Sequence, residues 1–201
     1  MRKLERTPAP ACLSRFRHGK NQWNELTTSK QYNAEVWQQL EAMQGRFCAY
    51  CERSIRQNTQ TSRPDAHIEH FYRRRDEPRK TFDWCNLFGS CNDKNTCGRH
   101  KDNKAQHINS AQVCKPDIMD PADFLQFLPD GSVQPKYGIE ASKQHIAEYT
   151  IAIFNLDDDI SLRGRRRSAY ETEKGADSRT ECNTLSELML RHCPSFPSLF
   201  A

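Results

Sequence analysis

The sequence predicts an α+β fold, and three patterns predict it. Val36, Leu40 and Met43 recur at i, i+4 and i+7, Trp37 widens the stripe, and Gly45 stands at the C-cap position, so residues 31–44 read as a helix. Ala66 to Phe71 and Phe82 to Leu87 read as two short strands. Residues 96 to about 107 follow as a helix, because Cys97, His100/Lys101, Lys104 and Ile108 fall on one face. A cysteine pair stands at each end of this strand–loop–strand–helix order, Cys48 with Cys51 and Cys91 with Cys97.

The remaining elements follow in chain order. Residues 1–28 read as polar and irregular, with Pro8 and Pro10 near the start. Residues 46–55 suggest a knuckle, with Phe47 and Tyr50 around the first cysteine pair. Arg73 to Lys80 forms a basic loop broken by Pro78. Phe124 to Leu128 and Ser132 to Lys136 flank Pro129-Asp130-Gly131, a hairpin signal. Ile139 to Phe154 reads as a helix with Ile146, Thr150 and Ile153 on one stripe, and Asp157-Asp158-Asp159 can cap the next one. Ser178-Arg179-Thr180-Glu181 and Thr184-Leu185-Ser186-Glu187 both have capping-box spacing, and one of them opens a last helix ending near His192. Pro116 and Pro121 mark a boundary near 108–120. The chain therefore divides into 1–45, an extension with one helix, 46–108, the core, and 109–201, a hairpin and helical region.

A hydrophobic fraction of 36% and a mean hydropathy of -0.91 point to a modest core among the 201 residues, one that benefits from a staple. Lys and Arg number 30 against 26 Asp and Glu, an excess too small to specify a nucleic-acid partner without regard to where the charges sit. No apolar run of signal-peptide length follows Arg2, Lys3, Glu5 and Arg6, and no stretch approaches the roughly 20 apolar residues that cross a bilayer, so no membrane partner is expected. The expected location is cytoplasmic. Thiols stay reduced there, and paired cysteines among the nine read as metal ligands or redox centres before disulfides.

Zinc prefers four soft ligands in a tetrahedron. Cys48 and Cys51 have the usual spacing, while Asn92 to Thr96 make a longer loop between Cys91 and Cys97. Cys85 competes as a ligand but reads as a small hydrophobe on its strand. A redox role for Cys48-Ala49-Tyr50-Cys51 lacks the βαβ context it needs. Structural Zn2+ held by Cys48, Cys51, Cys91 and Cys97 is the expectation.

The residues between the pairs suggest chemistry on a phosphodiester, which needs a base, a cation on the phosphate oxygens and a route for the leaving oxygen. Glu69 offers a hard oxygen for Mg2+ or another divalent cation, and His100 offers a second ligand from the helix. His70 can stay neutral near pH 7 and take a proton, while the Asn86 amide can hold the intervening loop. Glu69 and His70 point to opposite faces of an ideal strand, so they share a site only if the strand ends there. Phe71-Tyr72 followed by three arginines supplies such an end. His67 and His107 stand as alternative ligands to His100, and Asp83 reads as a surface residue. Arg73, Arg74, Arg75, Arg79 and Lys80, against Asp76 and Glu77, give the loop a local net of +3; Lys101 and Lys104 extend the basic surface expected to hold nucleic acid. Arg163, Arg165, Arg166 and Arg167 form a second cluster, read as a solvated face, an anionic-partner surface or a further contact for nucleic acid. Tyr72 and Trp84 fit either base stacking or core packing.

These residues carry a family resemblance. Cys48-Ala49-Tyr50-Cys51-Glu52, His67-Ile68-Glu69-His70-Phe71, Trp84-Cys85-Asn86-Leu87, Phe127-Leu128-Pro129-Asp130-Gly131 and Thr150-Ile151-Ala152-Ile153-Phe154-Asn155-Leu156 together resemble the HNH endonuclease family. The closer likeness is to the HNH subunit of Septu-type anti-phage systems, some encoded beside retrons, and it spans roughly residues 45–170. Glu69-His70 looks like that family's acidic metal ligand and general base, Asn86-Leu87 like its middle asparagine, and His100-Lys101 falls where its third element belongs. The resemblance implies a zinc-stapled ββα-metal core with an N-terminal helix and a mainly helical C-terminal region. It implies metal-dependent hydrolysis of DNA, or of structured RNA such as tRNA, in a defence complex with an ABC-type ATPase; a retron reverse transcriptase and its RNA–DNA product are further partners it admits. Many relatives carry a compact Cys-x-x-Cys-Asn/His-x-x-Lys run, whereas here Cys97-Gly98-Arg99-His100-Lys101 follows an enlarged loop. The competing readings are a non-catalytic zinc module that binds nucleic acid or a protein partner, and an antitoxin-like or scaffold subunit.

Overall fold

In the computed structural model, residues 1–55, 65–104 and 108–176 are described. Among them are five α-helices and two two-stranded antiparallel sheets. No helix among these residues is long and apolar enough to cross a membrane.

The N-terminal segment is more ordered than its composition suggests. It holds a 3₁₀ turn at Ala11–Arg15 and a short helix α1, Trp23–Thr28, and its Leu4, Cys12, Leu13, Phe16 and Leu26 are buried. Those apolar residues are too widely spaced to give a period, so the expected irregular segment is corrected here by tertiary packing. Helix α2, Lys30–Gln44, matches its expected span, with the Ser29 hydroxyl accepting from Tyr32 N and Gly45 at φ 66° ending it.

Strand β1, Ala66–His70, pairs with β2, Leu87–Cys91, in the register Ala66 to Cys91 through His70 to Leu87. The second strand therefore begins where the sequence pattern predicts that it ends. Asp83 is the reason: its carboxylate accepts from Cys85 N at 2.9 Å and caps a 3₁₀ turn over Trp84–Asn86. Asp83 has a local structural role, Cys85 is exposed rather than packed, and Trp84 is buried with Nε1 donating to Thr7 O at 2.8 Å. All five residues of β2 are buried, so no alternation marks them. Gln44 fixes α2 against this strand: its Oε1 accepts from Gly89 N and its Nε2 donates to Gly89 O, both at 2.9 Å. A side chain at Gly89 would collide with that amide.

Helix α3 spans Cys97–Lys104; His107 lies outside the described residues. The hairpin of β3, Leu125–Phe127, and β4, Val133–Pro135, turns at Gly131 with φ 84°. Helix α4, Ala141–Phe154, ends at Asn155 in the left-handed region. Helix α5, Ile160–Ala176, is capped by Asp159, whose carboxylate accepts from Leu162 N at 2.7 Å. The capping-box segments at Ser178 and Thr184, with the helix end near His192, lie outside the described residues. One apolar core runs from Met1 to Leu162 and draws on all three sequence segments.

Candidate functional site

Four cysteine sulfurs meet between the two sequence pairs. The Sγ atoms of Cys48, Cys51, Cys91 and Cys97 all lie within 4.8 Å of one another and all four residues are buried. A tetrahedron with Zn–S near 2.3 Å separates its sulfurs by about 3.8 Å; Cys51 and Cys91 stand 3.9 Å apart. The donors thus fit a metal such as zinc. The knuckle forms because Glu52 N donates to Cys48 O and Glu52 takes a positive φ of 59°. The enlarged loop closes because Thr96 Oγ1 donates to Phe154 O at 3.0 Å, Asn155 Nδ2 donates to Asn95 O at 2.7 Å, and Arg53 pairs with Asp93 at 2.9 Å. The thiols cannot share this space equally charged. Burial opposes ionisation of Cys48, yet hydrogen bonds from Cys51, Cys91 and Cys97 draw it well below the ordinary thiol value. Cys91 is pushed up mainly by its hydrogen bonding to Cys48 and Cys51, and Cys97 mainly by burial. Cys85 is not part of the cluster.

The end of β1 carries the second group. The Asn86 amide closes the basic loop at both ends: Oδ1 accepts from Tyr72 N at 2.6 Å, while Nδ2 donates to Tyr72 O at 3.0 Å and Lys80 O at 2.9 Å. This is the loop-holding role its sequence position suggested. His70 Nε2 lies 3.0 Å from Thr81 O. A carbonyl only accepts, so Nε2 carries the proton and Nδ1 keeps a lone pair. Trp23 packs edge-on against the imidazole at 4.4 Å. Burial is the main cause that pushes His70 down to about 4, against the opposing pull of Thr81 O and Glu69, so the ring is neutral at pH 7.

Glu69 leaves the strand on the other side, toward α3. Its Oε2 is 3.0 Å from His67 Nε2, and its Oε1 is 2.6 Å from Lys101 Nζ. The second contact is an ion pair without hydrogen-bond alignment, and Oε1 has no hydrogen-bond partner. Burial raises this carboxyl, but the Lys101 ammonium and His67 outweigh it and hold it at about 2. Gly98 is the α3 residue that faces it: a Cβ there would fall 2.5 Å from Glu69 Cδ. Sequence reasoning missed Gly98, although a glycine inside a helix is itself a signal of close approach.

The expected partner, His100, lies elsewhere. Its Nδ1 is 3.0 Å from Ile153 O, and with Lys104 it lines a cleft of ≈ 420 Å³ that also takes Asp158 and Asp159. Among the described residues, Glu69, His70 and His100 do not form a ligand group; the four cysteines do. Helix α3 turns His100 toward α4 and its Gly98–Lys101 face toward Glu69 on β1. His67, the alternative, reaches Glu69 through a hydrogen bond.

The basic residues divide in the same way. Arg74, Arg75, Arg79 and Lys104 are exposed. Lys80 places its ammonium 3.7 Å from the Tyr72 ring centroid. Arg73 is buried and paired with Asp76 at 2.6 Å, and Lys101 is 1% exposed, so both expected nucleic-acid contacts are corrected to interior struts. Arg166 is likewise interior, donating to Leu156 O at 2.6 Å, which removes it from the second arginine cluster's surface. Compared with models of known protein families and with curated proteins, the chain matches none.

Proposed function

We propose that this chain is a nuclease that hydrolyses nucleic-acid phosphodiesters, with His70 as general base. One observation carries the reading: Nε2–H is committed to Thr81 O, so a neutral imidazole offers its Nδ1 lone pair beside a loop clamped by Asn86. A base that is neutral at pH 7 can take the proton of an attacking water or of a 2′-hydroxyl. Exposed Arg74 places its guanidinium 5.9 Å from the Trp23 ring that packs on His70. Arg75 and Arg79 continue the rim and can hold the backbone without reading sequence. The zinc-type centre joins the knuckle, the end of β2 and the start of α3, which keeps this geometry rigid. The sequence resemblance extends the proposal to an effector subunit of an anti-phage complex with an ABC-type ATPase.

A second reading has its own support. Glu69 and His70 face opposite sides of β1, an arrangement that a non-catalytic zinc module for nucleic acid or a partner protein tolerates equally. Cleavage assays on DNA and on structured RNA, with added divalent cations, separate the two. The expected result is cutting by the wild type and its loss, at least a hundredfold, in His70→Ala, with zinc content and circular dichroism unchanged. Equal cutting by both proteins removes the mechanism; binding without cutting leaves the module.

A further inference from the structure

We propose that the Lys101 ammonium is the built-in cation of the buried oxygen cluster beside β1, and that Glu69 binds no divalent ion while Lys101 occupies that cluster. Four oxygens surround Nζ: Glu69 Oε1 at 2.6 Å, His70 O at 2.7 Å, Asp102 Oδ1 at 2.9 Å and Phe71 O at 3.4 Å. Carboxylates and backbone carbonyls are the donors a hard divalent cation would use. Here a side chain of the same chain already supplies the charge, with its stem buried.

On the helix opposite, the carboxylate at this point is that of Asp102, already paired with Lys101. The position that faces the Glu69 carboxylate is Gly98, which has no donor, and His100 is turned to Ile153 O. A divalent ion entering at Oε1 would meet an ammonium already 2.6 Å from that atom. Lys101 also holds the carbonyls of His70 and Phe71, so it acts as a positioning residue that fixes the point where β1 ends and the base begins. This deepens the nuclease reading by naming the charge next to His70, and it is tested without cleavage.

Paramagnetic Mn2+ added to the zinc-loaded full chain is the probe, and the imidazole proton resonances of His67 and His70 are the readout. The expected result is that both keep their widths at equimolar Mn2+ in the wild type. In Lys101→Ala the vacated oxygens accept the ion and the same signals broaden several-fold, an effect that adding Glu69→Gln abolishes. Broadening of His67 and His70 in the wild type overturns the proposal, as does a folded Lys101→Ala variant that shows none. If that variant does not fold, the wild-type titration decides alone. Broadening in the wild type leaves the role of His70 standing, and unimpaired cutting by His70→Ala leaves the Lys101 assignment standing.

Discussion

A carbonyl and an indole set the state of His70. Thr81 O fixes the proton on Nε2, and burial, with Trp23 packed on the ring, disfavours an imidazolium. The residue type and its neighbours Glu69 and Asn86 were legible in the sequence, because short polar constellations are written locally. The partners were not, since Thr81 and Trp23 reach His70 only through the fold. The state has a consequence for stability. His70 sits at about 4 when folded and near the ordinary 6.5 when unfolded, so the unfolded chain takes the proton first. Stability is therefore complete above pH 6.5 and falls as pH drops toward 4, by about 3 kcal/mol from this group. Glu69, held at about 2 although burial raises it, loses its contribution lower, as pH falls from 4.5 toward 2. Urea denaturation between pH 7 and 4 should show the first slope in the wild type and a flatter one in His70→Gln. An unchanged slope in that variant assigns the titration to another group.

Elements were legible in proportion to their periodicity. Helix α2, the β3–β4 hairpin and α4 carry apolar stripes or turn residues and lie where those signals place them. Strand β2 carries neither, being buried on both faces, and the aromatic residues before it read as strand although Asp83 folds them into a turn. The faces of α3 were ambiguous for a different reason. Its sequence is polar all round, so apart from the glycine at 98 no apolar stripe says that Lys101 turns inward while His100 and Lys104 line a cleft. One close contact in that orientation, Gly98 against Glu69, is testable by itself. Gly98→Ala should destabilise the protein by about 1–3 kcal/mol, because a methyl group must displace a buried carboxylate held by Lys101. The cost should be smaller when Glu69 is already alanine, giving a non-additive double-mutant cycle. Additive costs in denaturant midpoints would mean that α3 does not press on β1 through this pair.

Across the whole molecule, the low hydropathy of the chain and the four-cysteine cluster are two sides of one argument. A core that reaches from Met1 to Leu162 is assembled from many thin contributions, including buried Gln44, Arg73, Lys101 and Arg166. Buried polar groups of this kind specify geometry more than they stabilise it. The cysteines tie the knuckle, β2 and α3 at one point, and Thr96 and Asn155 link that point to the end of α4. A bound structural zinc contributes roughly 10–16 kcal/mol in small finger peptides, against a total stability of about 5–15 kcal/mol for an ordinary domain. Metal removal should therefore unfold more than the knuckle. The purified protein should contain one zinc per chain by elemental analysis, and Cys51→Ser should lower that content. Chelation should abolish the cooperative thermal transition and expose Trp37 and Trp84, both buried in the folded core, seen as a red shift in tryptophan emission. Restoring zinc should reverse the shift. A metal-free protein that melts at the same temperature as the untreated one would show that packing alone holds this core, and the four thiols would then need another explanation.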